Sequence, residues 1–184
     1  MCTLAADGCL DWDALAHAVR PETGCTLIQR SYGYSWRKSL SIDDICRAID
    51  LIKMQNKNCK VMVDNCYGEF VETSEPPMVG SDLIAGSLIK NPGDMLCEQC
   101  FRACFLLPKW LERPQGGLLI AEVMSAKGYR VQPLPREPRH DIVQAVELGN
   151  RERLIAFCEA VQQTCPVGSF IKPTAGETPG YASE

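Results

Sequence analysis

Two groups of reactive side chains lie close together in the middle of the chain, and they indicate different chemistries. The stretches VDNCYGEF (63–70) and SLIK (87–90) together contain a carboxylate, a phenol, a hydroxyl and an amine. Shortly afterwards, CEQCFRAC (97–104) contains three cysteines at close spacing. The first group would suit an organic cofactor that is bound covalently, whereas the second would suit a metal ion bound by thiolates.

The first group has the side-chain types that bind pyridoxal 5'-phosphate (PLP). A carboxylate such as Asp64 can keep the pyridine nitrogen protonated, so that the ring absorbs negative charge formed on a substrate. The amine of Lys90 can bind the cofactor covalently, the phenol of Tyr67 can contact the ring oxygen, and the hydroxyl of Ser87 can hold the phosphate. Each residue also has an ordinary alternative role, since an Asp after a strand often stabilises a turn and a lone Lys is usually solvated.

The predicted elements would bring these residues to one edge of a parallel sheet. The predicted strands are CTLIQR (25–30), KVMVDNC (60–66) and DLIAGS (82–87). A helix that begins at the N-cap Ser41 and carries isoleucine at helical spacing separates the first two strands, which indicates a parallel α/β sheet. Because functional residues gather beyond the carboxyl ends of such strands, we expect Asp64 and Asn65 to lie near Ser87 and Lys90.

The rest of the chain is also predicted to be α/β. Further predicted elements are a helix within DWDALAHAV (11–19), a helix at 116–128 ending in Gly128, strands in YRVQPLP (129–135) and DIVQAVEL (141–148), and a helix at 151–163 capped by Asn150.

Composition excludes several classes of protein. The 184 residues are 46% hydrophobic, which is enough for one sizeable core. A net charge of −4 without a basic block argues against a nucleic-acid partner, and no apolar run approaches the ~20 residues that span a bilayer. The first residues do not form a secretory signal, so we expect a cytoplasmic protein whose 11 cysteines are mostly reduced.

Several long motifs resemble one known family. VDNCYGEFVE, EPPMVGSDLIAGSLIKNPG, ETGCTLIQRSYGYSWRKSLSIDDI, GLLIAEVMSAKGYRVQPLPREPRHDIVQAV and FCEAVQQTCPVGSFIKPTAGETPGYASE resemble the methionine gamma-lyase / cystathionine beta-lyase-like family, often labelled aluminium resistance protein, and are most similar to its plant members. This resemblance implies PLP-dependent fold type I enzymes that act on sulfur amino acids such as cystathionine or methionine, as homo-oligomers.

The resemblance assigns roles to individual residues. It implies that Lys90 binds the cofactor covalently and acts as the catalytic base, and that Asp64 contacts the pyridine nitrogen. Tyr67 and Ser87 fit the ring oxygen and the phosphate, and Asn65 is a further cofactor contact. The motif that contains Ser31, Gly33 and Tyr34 is expected near the active site. Tyr32 departs from the family pattern, in which Arg or Cys is expected, and this departure puts the local contact in doubt.

The chain departs from the family most strongly after Gly93. The family continues into a glycine-rich stretch and later a helix similar to MRAxFQGLFLAPQMVGEA, whereas this chain reads DMLCEQCFRACFLLPKWLERPQ. One possible codon spelling of 97–114, read one base earlier, encodes MRAMFQGLFLAPQMVGEA. We therefore expect 94–115 to be an out-of-frame junction between a partial PLP-binding large domain (1–93) and a partial C-terminal α/β domain (116–184).

The cysteines Cys97, Cys100 and Cys104 then have a simple origin in the shifted frame. A zinc site would need a fourth ligand, and no second cysteine pair follows at suitable spacing, while His140 is isolated. A small Cys-based metal-binding module nevertheless remains an alternative reading of this segment.

The predicted fold is thus an incomplete PLP-dependent transferase fold of type I. We also expect the family's phosphate-binding loop before Met1 and its substrate-carboxylate arginine after Glu184. The predicted function is that of a carbon–sulfur lyase, with this chain as an inactive fragment or as a non-catalytic fragment with an interaction role. The residues do not distinguish β- from γ-elimination.

Overall fold

The fold is taken from a computed structural model, which describes residue 5 and residues 7–32, 36–87 and 113–164. Helix α1 (Trp12–Ala18) begins at Asp11, whose Oδ1 accepts a hydrogen bond from Ala14 N at 2.9 Å. Helix α2 (Ile42–Gln55) begins at the predicted cap. Ser41 Oγ accepts from Asp44 N at 3.0 Å, and Asp44 Oδ2 accepts from Ser41 N at 3.0 Å. This reciprocal pair satisfies backbone donors that the first helical turn leaves unbonded.

Three parallel strands pair in the order β1–β2–β3. Their bounds are β1 (Cys25–Gln29), β2 (Lys60–Asp64) and β3 (Leu83–Ala85). Side chains alternate between the two faces of the sheet. Ile28, Val61 and Val63 are buried with residues of α1 and α2, so one face forms the core. The predicted parallel sheet is confirmed.

The second face of the sheet is open in the described part of the chain. Leu27, Met62 and Leu83 occupy equivalent positions in the register of the three strands and point away from the helices. Leu27 is 67% exposed, and Leu83 is also exposed. The next row on this face contains Gln29, Asp64 and Ala85, so the predicted cofactor carboxylate lies on the open side.

The connection between β2 and β3 contains a 3₁₀ turn (Pro76–Val79) that ends at Gly80 with φ of 104°. Asp82 then anchors the start of β3. Its carboxylate accepts from Lys53 Nζ at 2.7 Å, Lys60 Nζ at 2.8 Å and Val61 N at 2.9 Å. These bonds tie the third strand to α2 and to the second strand.

The C-terminal part has a helix, two short strands and a helix. Their bounds are α3 (Arg113–Ala126), β4 (Arg130–Gln132), β5 (Ala145–Glu147) and α4 (Arg151–Thr164). The two strands are antiparallel. Gly128, with φ of 83°, follows α3 as predicted, and Asn150 Oδ1 accepts from Arg153 N at 2.8 Å at the start of α4.

Two features bear on the sequence predictions. Helix α3 begins three residues before 116, so the last residues of the predicted 94–115 junction are helical. Pro114 is the second residue of this helix, where a missing backbone N–H costs nothing. Within the described ranges, no helix combines the length and apolar character that crossing a bilayer requires.

Candidate active site

Asp64 is the last residue of β2 and lies at the carboxyl edge of the sheet. Its Cα pairs with Gln29 of β1 and with Ala85 of β3. The side chain is half-buried, and its Oδ1 accepts from Cys66 N at 3.1 Å. This bond orients a carboxylate at the position where parallel sheets place functional groups.

The chain turns sharply directly after Asp64. Asn65 N donates to Ala85 O at 2.7 Å, which carries the β2–β3 pairing one step further, and Gly68 N donates to Asn65 O at 2.9 Å. Inside this turn Tyr67 has φ of 70°, in the left-handed region that non-glycine residues rarely adopt. Such a conformation costs on the order of 1 kcal/mol and persists only where surrounding contacts hold it.

Arg30 supplies many of those contacts. Its side chain is fully buried directly after β1. Nη1 donates to Asn65 Oδ1 and to Gly68 O, both at 2.8 Å, and Nη2 donates to Glu72 Oε1 at 2.7 Å. Nε donates to Leu40 O at 3.4 Å. The guanidinium thus bonds to both ends of the turn, and its charge is paired as burial requires.

Glu75 completes this buried group of charges. Its Oε2 accepts from Asn65 Nδ2 at 2.7 Å and lies 3.9 Å from Arg30 Nη1. Its Oε1 accepts from Phe70 N at 2.8 Å. The Asn65 side chain therefore bridges Arg30 and Glu75, and this bridging fixes its orientation.

Close packing of Arg30 requires the absence of a side chain at Gly68. A Cβ built on Gly68 would lie 2.7 Å from Arg30 Cδ and 2.9 Å from both Arg30 Nη1 and Asn65 Oδ1. Glycine is needed here because of this close approach. The turn and the guanidinium consequently fit together in one arrangement.

Ser87 is brought to the same edge through Glu69. Ser87 N donates to Glu69 Oε1 at 2.6 Å, so the residues after β3 pack beside the turn that contains Tyr67. A Cβ on Gly86 would lie 2.7 Å from the same oxygen. The structure thus brings together Asp64, Asn65, Tyr67 and Ser87, as the sequence predicts. Lys90, Gly33 and Tyr34 lie outside the described residues.

The C-terminal part contacts the site through polar groups. Ile142 N donates to Tyr67 O at 3.1 Å, and His140 Nδ1 lies 3.2 Å from Glu72 Oε1. Asp141 is 2% exposed, and its Oδ2 accepts from Tyr32 N at 3.3 Å. Burial raises the pKa of Asp141 to about 6, because the charged form is desolvated.

Tyr32, where the resemblance implies Arg or Cys, is a buried contact between the two parts of the chain. Its hydroxyl donates to Gln132 O at 3.2 Å. Burial raises the pKa of this phenol well above its ordinary value, so the hydroxyl remains a donor. The substitution is therefore accommodated as a packed, hydrogen-bonded side chain.

Several residues of this site were not predicted from the sequence. Arg30, Glu69, Glu72, Glu75 and Asp141 all contribute contacts to it. The sequence did contain a signal for Arg30, because a charged residue that follows an apolar strand needs a polar partner when it is buried. The acidic residues of the site had no sequence pattern that distinguished them from ordinary surface residues.

The predicted cysteine cluster, Cys97, Cys100 and Cys104, lies outside the described residues. Among the residues that are described, no group of three or more His, Cys, Asp or Glu side chains could hold a metal ion. Among the cysteines whose side chains the structure describes, the free thiols are Cys9, Cys25, Cys46, Cys59 and Cys66.

Comparisons with known proteins identify relatives of this chain. The chain is 35% identical over 218 aligned positions to the uncharacterized protein YnbB of Bacillus subtilis (strain 168), covering 98% of this chain and 52% of YnbB. An uncharacterized 33.9 kDa protein of Lactobacillus delbrueckii subsp. bulgaricus is 29% identical over 97% of this chain and 71% of its own length. Since an alignment of 218 positions exceeds the 184 residues of the chain, YnbB has positions that lack a counterpart here.

Solved structures show the same fold. A candidate cystathionine beta-lyase involved in aluminum resistance from Listeria monocytogenes str. 4b F2365 matches with a TM-score of 0.82 and 32% identity, covering 98% of this chain and 55% of that chain. A carbon-sulfur lyase involved in aluminum resistance from Clostridium novyi NT matches with a TM-score of 0.75 and 30% identity, covering 92% and 49%.

The chain therefore spans about half the length of YnbB and of these two structures. The sequence model for methionine gamma-lyase matches it in two overlapping segments, residues 1–100 and 95–184. Since these segments together cover all 184 residues and the shared fold extends over nearly the same range, the chain belongs to the methionine gamma-lyase family.

Proposed function

We propose that this chain is part of a PLP-dependent carbon–sulfur lyase that acts on sulfur amino acids such as cystathionine or methionine. The observation that carries the proposal is the pairing of Asp64 with Ala85 at the carboxyl edge of adjacent parallel strands. This pairing supports the proposal because Ser87 and Lys90 follow Ala85 closely in the sequence. The names of the solved relatives support the reaction class.

The described residues fit this cofactor. Asp64 lies on the open face of the sheet, where a flat ring can approach, and Cys66 N orients its carboxylate. Tyr67 and Ser87 lie on the same edge, joined through Glu69. Asp64 would contact the pyridine nitrogen, Tyr67 the ring oxygen and Ser87 the phosphate. Asn65 does not fit the cofactor contact expected from the sequence, because its side chain is fully buried and bonded to Arg30 and Glu75, so it would support the turn instead.

When bound, PLP supplies an electron sink for the negative charge that forms at the substrate α-carbon. Lys90 would bind the cofactor covalently until the substrate amine displaces it, and the freed Lys90 amine would then take the α-proton as general base. The carboxylate of Asp64 would hold the proton on the pyridine nitrogen. A thiol would then leave from the β- or γ-carbon, and both eliminations remain within the proposal.

Chemical trapping tests the proposal. The chain is incubated with PLP, reduced with borohydride, digested and mapped by mass spectrometry. We expect a pyridoxyl group on Lys90 and only background labelling of Lys53, which is bonded to Asp82. Lys90→Arg serves as the matched control and should abolish the label at this position. Preferential labelling of another lysine would contradict the assignment.

We further propose that the 184-residue chain alone has no measurable lyase activity. It aligns with only about half of each solved relative, and holding reacting groups in productive geometry can contribute ~7–11 kcal/mol to catalysis. The measurement is thiol release from cystathionine and methionine, with the Clostridium novyi lyase as the positive control. Robust turnover by the purified chain would refute this proposal.

The proposed boundaries at 94 and 115 concern the origin of the chain. The two segments matched by the family model overlap at 95–100, inside the proposed junction, and the alignment to YnbB is longer than the chain. Both observations support an internal deletion, and the shifted frame across 94–115 stays a separate proposal. Sequencing the transcript across codons 94 and 115 tests it, and an uninterrupted genomic reading frame with the same sequence would contradict it.

The oligomeric state, the substrate class and the cellular location of the parent enzyme are proposed from the family. We propose a homo-oligomeric, cytoplasmic parent enzyme with a small-molecule substrate and no nucleic-acid partner. An interaction role without catalysis is the second candidate, favoured by the exposed Leu27 and Leu83 on the open sheet face. Light scattering of the purified chain, alone and mixed with a full-length relative, distinguishes the two.

A further inference from the structure

We propose that Arg30 is a positioning residue that holds the turn of residues 65–68, and with it Asp64 and Tyr67, in the conformation that the cofactor site needs. The inference rests on the proposed function for its purpose. Its physical basis is independent, because it depends only on contacts between described residues. Arg30 itself would touch neither cofactor nor substrate.

The first observation is the conformation of the turn. Tyr67 has φ of 70°, which is unfavourable for a side chain of this size. The conformation must therefore be imposed by contacts on either side of the residue. Nη1 of Arg30 donates to Asn65 Oδ1, two residues before Tyr67, and to Gly68 O, one residue after it.

The second observation is the burial of Arg30, whose hydrogen bonds to Asn65 and Gly68 form what we call the clamp. Arg30 is fully buried, so its guanidinium cannot exchange these bonds for water without unpacking. The other terminal nitrogen of the guanidinium, Nη2, donates to Glu72 Oε1 at 2.7 Å. A lysine at this position would keep the charge but would lose the fork geometry that reaches Asn65 and Gly68 together.

The third observation links the clamp to the C-terminal part. Ile142 N donates to the carbonyl of Tyr67, and His140 Nδ1 lies 3.2 Å from the same Glu72 oxygen that Arg30 contacts. The turn is thus held by Arg30 from the first part of the chain and by residues 140–142 from the second. Weakening Arg30 should loosen the turn while leaving the packed strands in place.

Two variants of the 184-residue chain test this. Arg30→Lys removes the fork, and Gly68→Ala places a Cβ 2.7 Å from Arg30 Cδ, which displaces the guanidinium without changing any charge. Gly24→Ala is the matched control, since nothing lies within 4 Å of a Cβ at Gly24. Neither Gly24 nor Gly68 has positive φ, so alanine is compatible with the backbone at both positions.

The first readout is amide hydrogen exchange without cofactor. We expect two amides to exchange at least tenfold faster in both Arg30→Lys and Gly68→Ala: that of Gly68, which lies in the turn, and that of Ile142, which donates to the carbonyl of Tyr67. The amides of Val61 and Val63 should keep their wild-type rates, and Gly24→Ala should match wild type throughout. Unchanged exchange of the turn amides in Gly68→Ala, or equal acceleration across β2, would overturn the clamp.

The second readout is the borohydride-trapped label on Lys90 at limiting PLP. We expect at least a threefold loss in Arg30→Lys and Gly68→Ala but not in Gly24→Ala. A loosened turn with full labelling would show that Arg30 is only structural, and would overturn the positioning role. Absence of label in the wild-type chain would instead count against the proposed function, while the clamp would still be decided by the exchange rates.

Discussion

Residues 11–87 and residues 113–164 satisfy the need for burial in different ways. The first region packs two helices on one face of a parallel sheet and has a core of its own. The buried residues of that core are Leu15, Val19, Ile28, Leu40, Ile42, Ile45, Ala48, Ile49, Ile52, Cys59, Val61 and Val63. In the second region, Leu119 is 62% exposed and Ile120 is also exposed, although both lie in the middle of α3.

The second region also has buried apolar residues, Ala121, Val131 and Leu148, and polar contacts connect it to the first region. Asp141 accepts from Tyr32 N, Ile142 N donates to Tyr67 O, and His140 lies beside Glu72. The difference teaches that hydrophobic packing stabilises the first region, whereas hydrogen bonds and charges determine how the second region contacts the candidate site.

The largest expected effect is a test of the core. Ile52 is fully buried in α2, so Ile52→Ala should lower the free energy of unfolding by about 3 kcal/mol through lost burial and a cavity. Leu119→Ala, at an exposed position of α3, should change it by less than about 0.5 kcal/mol. Urea unfolding followed by circular dichroism measures both. Similar losses would show that the two regions do not differ in this way.

An effect of comparable size concerns Asp141, a buried carboxyl group at the contact between the two regions. The folded state raises the pKa of Asp141 from 3.8 to about 6, so the folded protein binds this proton more tightly than the unfolded chain does. Stability should therefore fall as pH rises from about 4 to about 6, by on the order of 3 kcal/mol. Asp141→Asn removes the titration, and the difference between the two proteins in urea titrations at several pH values isolates it. A pH-independent difference would contradict this prediction.

Helix caps give a smaller effect that both regions share. Ser41→Ala removes one bond of the reciprocal pair at the start of α2 and should cost about 1 kcal/mol. Asn150→Ala removes the single bond to Arg153 N and should cost less, about 0.5 kcal/mol. Thermal unfolding can rank the two variants. A larger loss for Asn150→Ala would mean that α4 contributes more to stability than its exposure indicates.

The smallest expected effect on stability comes from the ion pairs that Asp82 forms with Lys53 and Lys60. Hydrogen bonds from Lys53 and Lys60 hold the pKa of Asp82 below its usual range. Its contribution is therefore present above about pH 4 and is lost as pH falls further, in the opposite direction to Asp141. Asp82→Asn should reduce the loss of stability in acid, and added salt should reduce the difference between variant and wild type. Insensitivity to salt would show that charge is not responsible.

Sequence patterns were sufficient for the local elements of the first region. The isoleucine spacing and Ser41 predicted α2, and short apolar segments predicted three strands whose parallel order the structure confirms. The same patterns placed Asp64 at the end of β2 and Ser87 shortly after β3. These features depend on residues close together in the chain, where helical spacing, capping and strand length carry the signal.

The contacts that shape the candidate site were decided only by the tertiary structure. Arg30 bonds to groups 35 to 42 positions away, and Tyr32 bonds to Asp141, 109 positions away. The left-handed conformation of Tyr67 has no signature in its own residue type, because it is imposed by those distant partners. Local propensity determines which segments form helices and strands, whereas a buried charge obtains its partner only when the folded chain brings that partner within hydrogen-bond distance.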